Sequence, residues 1–260
     1  MMRIENISFS YNAGPVISNL SAEIRAGEFV GIIGPNGSGK STLLKLMSKI
    51  LAPSSGAMSM GGKNLKEISL ESYARQVAYM PSDTEVCFSF SVREFITMGR
   101  FPHAGRYAGL GKKDLHIINM AARNLGIEHL SEKRMEELSQ GEKQMVFLAQ
   151  AIIQQPRLLL LDEPTSHLDI GHTYRIMDSI LKLNSEDLTV VAVLHDLNLA
   201  SEYCKRLILL KEGKILRHGS PREVITYQNI ENSYMTRVLV YKNPFSGKPH
   251  VFGIPSSLRK

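Results

Sequence analysis

Apolar and polar residues alternate at Ile7, Phe9 and Tyr11 and again at Leu20, Ala22 and Ile24, on either side of a Gly14-Pro15 turn. A period of two predicts half-buried strands, here an antiparallel opening. From Phe29 to Ile33 the apolar residues are consecutive, as in a strand buried on both faces of a parallel sheet. A glycine-rich loop follows at once, then a helical run through Leu43, Leu44, Leu46 and Met47. Gly56, Gly61 and Gly62 punctuate a second hairpin-like stretch, after which 77–80 is a short apolar strand ending at Pro81. Residues 82–137 carry no comparable strand. Within them 92–98 and 115–125 have helical spacing, separated by a loop with Pro102, Gly105, Gly109 and Gly111. A further helix opens at Ser139 with Glu142 three residues on, the capping-box spacing; it keeps Met145, Leu148, Ala149 and Ile152 on one face and ends at Pro156.

Three more consecutive-apolar strands, 158–161, 190–194 and 207–210, alternate with helices, the pattern of a parallel α/β sheet. The tail predicts one helix around Ile230 and two β-prone stretches, 238–241 and 250–254, flanking a turn at 243–247. The expected fold class is α/β, in one domain. Residues 1–81 and 157–225 form a mixed, mainly parallel core sheet with an N-terminal antiparallel β subdomain, 82–156 an inserted α-helical lobe, and 226–260 a C-terminal extension.

With 260 residues, 43% of them hydrophobic and 22% charged, the chain can bury a core and is unlike collagen, a disulfide scaffold or a disordered tail. The balance of 31 Lys and Arg against 25 Asp and Glu leaves +6, suited to an anionic ligand but short of a nucleic-acid patch, and no nucleic acid is expected as a partner. Cys87 and Cys204 stand far apart, which argues against a disulfide framework or a cysteine metal site and for a reducing compartment. Residues 1–11 mix Arg3, Glu5 and Asn6 with apolar positions, unlike a signal peptide, and the apolar runs fall well short of the roughly 20 residues a bilayer crossing needs.

The candidate chemistry begins at Gly34-Pro35-Asn36-Gly37-Ser38-Gly39-Lys40-Ser41, which matches G-x-x-x-x-G-K-[ST] between a buried strand and a helix. Glycines let backbone N–H groups approach phosphate oxygens, and the helix N-terminus favours negative charge. Lys40 is expected on the β and γ phosphates, the Ser41 hydroxyl on Mg²⁺, and Thr42 on a neighbouring phosphate. Strand 158–161 delivers Asp162 and Glu163 at its C-terminal end, where α/β folds bind ligands. Asp162 would orient Mg²⁺ through its water shell, and Glu163 would polarise the attacking water as general base. His195, at the end of strand 190–194, is placed to hydrogen-bond the γ-phosphate and sense its loss. The other histidines, His103, His167 and His172 among them, read as structural or surface residues.

Together, 34–42, the segment Leu138-Ser139-Gln140-Gly141-Glu142, 158–164, 166–169 and His195 resemble the nucleotide-binding subunits of ATP-binding cassette transporters, in order and spacing over nearly the whole chain. Many NTPase families share the phosphate loop; the signature segment 138–142 just upstream of the Asp-Glu strand is specific to this one. The resemblance implies the cassette ATPase fold and hydrolysis of ATP with Mg²⁺ to ADP and phosphate. It also implies that Tyr11 stacks on adenine. Ser139 and Gly141, with Gln140 between them, would bind the γ-phosphate held by the phosphate loop of a second copy, and Asp169 would lie across that interface. The implied partners are a second copy in an ATP-sandwich homodimer, integral-membrane permease subunits and, indirectly, a substrate-binding protein, at the cytoplasmic face of the cell membrane. Gly99-Arg100-Phe101-Pro102-His103, 165–169 and 244–255 look like the ATPases of iron-siderophore, haem and cobalamin importers, so metal-chelate uptake is expected. Residues 82–111 would dock a coupling helix of the permease, with Phe88, Phe90 and Phe101 either fitting a partner groove or filling the lobe's own core.

Two positions depart from the family pattern. Gln140 replaces a usual glycine, tolerable because Ser139 and Gly141 flank it. Ser82 stands where the family carries a glutamine that touches Mg²⁺ and the attacking water and links to the membrane partner; here an extra water intervenes, or Asp83 or Thr84 substitutes. Three rival readings fit less of the chain. A soluble cassette ATPase of the ribosome or DNA ends would usually carry two cassettes or a long coiled coil. A small-molecule kinase leaves 138–142 and His195 unexplained, and an exporter commonly fuses its membrane segment to the cassette.

Overall fold

The computed structural model describes residues 1–12, 14–83, 89–104, 109–255 and 257; the expectations that touch Thr84, Cys87, Phe88 and Gly105 lie outside them. Along the chain come β1 (Met2–Tyr11), β2 (Gly14–Ile24), β3 (Phe29–Ile33), α1 (Lys40–Met47), β4 (Ser55–Met60), β5 (Lys63–Asn64), α2 (Leu70–Ala74) and β6 (Val77–Met80). There follow α3 (Val92–Thr97), α4 (Lys112–Asn124), α5 (Gln140–Ile153), β7 (Leu158–Asp162), α6 (Ile170–Ser185), β8 (Thr189–Val193) and α7 (Leu197–Tyr203). The chain closes with β9 (Arg206–Lys211), β10 (Lys214–Gly219), α8 (Pro221–Val224), α9 (Tyr227–Tyr234), β11 (Val238–Lys242) and β12 (Pro249–Gly253). These elements form two compact units, residues 1–67 with 189–260, and residues 68–188.

In the first unit an antiparallel sheet runs in the order β2-β1-β4-β5, and its inward residues Met2, Ile4, Ile7, Leu20 and Ile24 are buried while Arg3 and Glu5 face solvent. That is the period-two pattern interrupted by three register shifts between β1 and β2, the first of them around Asn6, where φ is 49°. The parallel strands follow the other rule. β3 pairs in parallel with β8 and β9, and every residue of β3 and β8 is buried, so no alternation survives. β10 adds an antiparallel edge to β9; its exposed polar residues gave no strand signal in the sequence. Gly31 in β3 has no room for a side chain, because a Cβ there would stand 2.7 Å from Cys204 Sγ. Burial pushes the Cys204 thiol well above its usual range, so it is an inert packing group. Glu28, just before β3, and Arg206, at the start of β9, pair at 2.7 Å.

The C-terminal hairpin β11–β12 pairs Val238 with Gly253 through Lys242 with Pro249. It is stitched to α7 by side chains. Asn198 exchanges hydrogen bonds with Val251 (2.7 and 3.3 Å), Ser201 Oγ donates to the Pro249 carbonyl at 2.7 Å, and Asn243 and Ser246 donate to Glu202.

The second unit pairs β6 in parallel with β7 and carries α2 through α6; the expected lobe of 82–156 falls inside it. α5 is its central helix, capped by Ser139 and buried from Gln144 to Ala149. The Gly99–His103 segment grips the C-terminal end of this helix. A Cβ on Gly99 would lie 2.3 Å from the Gln150 carbonyl, which is why glycine is needed there. Arg100, 4% exposed, donates to the Ile153 carbonyl and to Gln155 and pairs with Asp114 at 2.8 Å. A cation there also complements the negative end of the helix dipole. Phe101 is 65% exposed and Phe90 half-buried, so Phe101 does not fill the lobe's core. α2 and α8 were too short to show a helical period.

Candidate functional site

The phosphate loop leaves β3 and enters α1 through three glycines in the left-handed region, Gly34, Gly37 and Gly39. Two of them are fixed by close approach as well. A Cβ on Gly34 would stand 2.2 Å from the Leu210 carbonyl of β9, and one on Gly39 would stand 2.7 Å from Ile17 Cδ1 of β2. The loop is therefore wedged between two strands by its own backbone. Lys40, 5% exposed, folds its ammonium back to donate to the Gly34 and Pro35 carbonyls at 2.9 and 3.0 Å. Ser38 Oγ is buried and finds no hydrogen-bond partner among the described residues. A buried orphan hydroxyl and a buried ammonium in one loop, on a helix start that no side chain caps, fit an anion with several acceptor oxygens. Thr42 is buried, Ser41 half-buried, and Asn36 and Gly37 form the exposed tip.

Two other elements of the same unit carry predicted residues. Tyr11 ends β1 with 44% exposure, its ring in a T-shaped contact with Phe9 at 4.9 Å. His195 is exposed just beyond β8, next to Asp196, which caps α7 through its carboxylate. Sequence reasoning missed Tyr234. Its hydroxyl accepts from the Gly34 N–H at 2.9 Å, and burial pushes its pKa up to about 12, so it stays protonated. Nothing local could have flagged a partner this far along the chain.

In the second unit, β7 ends at Asp162, which is 1% exposed and accepts from the Tyr79 hydroxyl of β6 at 3.2 Å. A buried carboxylate needs donors or a cation, and its hard oxygens suit Mg²⁺. Tyr79 was also missed; a phenol inside an apolar strand usually has a polar partner, and that was the available signal. Glu163 adopts φ 53°, a left-handed value rare for a side chain, and accepts from Ser166 Oγ at 3.0 Å. Backbone strain of this kind gathers at functional sites. Ser82 and Asp83, two and three residues past β6, are both exposed.

The structure brings Ser139, Gly141 and Asp169 together. Ser139 caps α5 in a full capping box: its N–H and hydroxyl both donate to Glu142 Oε2 at 2.8 Å. Those bonds, with Lys133 at 3.6 Å, hold the Glu142 carboxyl below the usual range. Gln140 is exposed and Gly141 buried. Asp169 caps α6, and hydrogen bonds from His172 hold its carboxyl low.

The model of the ABC transporter family matches residues 17–166. The ferric enterobactin transport ATP-binding protein FepC of Escherichia coli is 36% identical over 96% of this chain and 93% of its own length. The hemin import ATP-binding protein HmuV of Gloeobacter violaceus is 39% identical over 93% and 90%. The cobalamin import ATP-binding protein BtuD of Halobacterium salinarum is 37% identical, and this chain spans 60% of its length. Among solved structures, one of an ABC transporter described as of metal-chelate type, in an inward-facing conformation, superposes with a TM-score of 0.87 at 25% identity, covering 99% of this chain and 98% of that one. The dimeric structure of the bacterial cassette MJ0796 gives 0.76 at 27% identity, over 85% and 98%. Among the described residues no helix is long and apolar enough to cross a membrane. Matched across most of its length by transport ATP-binding proteins, and carrying the phosphate loop they imply, the chain belongs to the ABC transporter family as an ATP-binding subunit.

Proposed function

We propose that this chain is the ATP-hydrolysing subunit of an importer for an iron-siderophore or a related metal chelate such as haem or cobalamin, and that two copies close on ATP and reopen after hydrolysis. The observation that carries the reading is the phosphate loop, with the unpartnered Ser38 hydroxyl and the Lys40 ammonium buried together on a backbone that only glycine permits. The cargo class is supported by relatives named for ferric enterobactin and hemin that align over more than nine-tenths of the chain. The dimer is supported by the likeness to a dimeric cassette.

In this reading Tyr11 stacks on adenine, and Gly34 through Gly39 present N–H groups to the phosphates, with Asn36 at the tip. Lys40 moves from the loop carbonyls onto the β and γ phosphates, and Thr42 supports them. The Ser41 hydroxyl and, through water, the Asp162 carboxylate would hold Mg²⁺, which when bound neutralises charge on the phosphate oxygens. At Ser82 the contact to Mg²⁺ would pass through an extra water, or Asp83 or Thr84 would take its place. Glu163 takes a proton from the attacking water, and His195 contacts the γ-phosphate. Ser139, Gln140 and Gly141 close on the nucleotide of the second copy, and Asp169 lies beside it. Phe101 is part of the surface offered to the permease, at the cytoplasmic face of the membrane.

The test is Glu163→Gln. It should retain ATP binding, accumulate a dimer on size exclusion with ATP, and lose about 10²- to 10³-fold in turnover. Near-normal turnover would remove Glu163 as base, and full-rate hydrolysis by protomers kept apart at high dilution would overturn the shared site. Purifying the native complex and identifying its membrane subunit tests the importer reading. A membrane subunit unrelated to chelate uptake, or none, would overturn it.

A further inference from the structure

His172 lies in the first turn of α6 and engages both oxygens of Asp169. Its backbone N–H donates to Asp169 Oδ1 at 2.9 Å, and its ring Nδ1–H donates to Oδ2 at 2.7 Å. The same ring covers Gly141. A Cβ built on Gly141 would stand 2.4 Å from His172 Cδ2, 2.7 Å from Cγ and 3.0 Å from Nε2, so the imidazole edge rests directly on the glycine. Gly141 sits in ordinary helical backbone, with no positive φ that would call for glycine. The space taken by the ring is therefore what excludes a side chain at this position. One imidazole thus touches two segments separated in sequence, the cap of α6 and the signature start of α5. The cavity of about 230 Å³ beside them is lined also by Ser139, Glu142, His129 and Arg175.

We propose that His172 is a positioning residue: it fastens the Asp169 carboxylate to Gly141 within one protomer, and so keeps the signature segment in register for the nucleotide of the second copy. The proposal rests on the ATP-sandwich reading above. The pair is half open to solvent, at 38% exposure for His172 and 65% for Asp169, and exposed pairs contribute little to folding. Its effect falls on geometry, and variants should fold.

The experiment compares wild type, His172→Ala and His172→Asn, whose amide nitrogen takes the place of Nδ1, by steady-state ATPase kinetics with thermal melting as a check on folding. His172→Ala should lose about tenfold in kcat with KM for ATP within about twofold. His172→Asn should recover at least half of the lost rate. Wild-type kcat in His172→Ala, a loss carried by KM, or a loss that His172→Asn does not restore would overturn the proposal. Wild-type protein without ATPase activity, or Lys40→Ala with undiminished ATP binding, would instead overturn the reading it rests on.

Discussion

In the proposed site the phosphate loop and the signature end of α5 would both offer a helix start to phosphate, yet they are held in opposite ways. Gly34 and Gly39 are wedged by hard contact with the Leu210 carbonyl and Ile17, and two of the loop's carbonyls are already covered by Lys40. Gly141 has a relaxed backbone and is set by side chains alone, the Ser139–Glu142 box on one side and the His172 ring on the other. Steric wedging gives a rigid cradle that charge and salt hardly touch. Polar side-chain contacts give a surface that yields within the range of a few hydrogen bonds. One site is thus fixed in advance, and the other is adjustable.

The sharpest way to break the contrast is Gly34→Ala. It combines a forbidden φ with a 2.2 Å backbone clash, and should cost about 3 kcal/mol or more in urea melts and abolish binding of a fluorescent ATP analogue. Retained binding would mean that the wedge is soft. Next comes Tyr79→Phe, which removes a donor from the buried Asp162 carboxylate; a bond to a charged group is worth about 1.5–3 kcal/mol, so kcat/KM for MgATP should fall at least tenfold. Tyr234→Phe should orphan the Gly34 N–H and cost about 1–2 kcal/mol of stability, read from the same melts. Ser139→Ala should cost about 1 kcal/mol through the lost cap.

The smallest effect is one of pH. Glu142 is held below its ordinary 4.5 chiefly by the Ser139 N–H and hydroxyl, so its contribution is complete above 4.5 and is lost as pH falls through the lowered value. Glu142→Gln should flatten that part of the acid limb of the melting temperature. An unchanged limb would show that the box is not coupled to folding.

What could be read from the chain follows the same division. The phosphate loop was legible because its chemistry is local: strand, glycines, lysine and helix are consecutive, and each residue type is demanded by backbone geometry. Asp162, Glu163 and His195 were legible because strand ends locate them. The residues that hold these groups were not. Tyr79, Tyr234 and His172 meet partners distant in sequence, Asp162, Gly34 and Gly141, and such contacts leave no spacing to detect. His172 in particular reads as a surface histidine until the fold sets it against Gly141. In the fold, consecutive-apolar strands gave clear signals because they are buried on both faces, whereas the edge strand β10, rich in Lys, Arg and His, resembled a loop. The role of Arg100 was equally hidden, since a cation meant for helix carbonyls looks like any solvated arginine until the helix end is found.

The stitching of β11–β12 onto α7 reaches further than the tail itself. α7 starts two residues after His195, and Asn198, Ser201 and Glu202, the groups that grip the hairpin, lie along that same short helix. The hairpin thus braces the helix that follows His195. If His195 has the role proposed for it, nicking the chain at the exposed Phe245 is expected to weaken its hold on phosphate without touching any residue proposed to meet nucleotide.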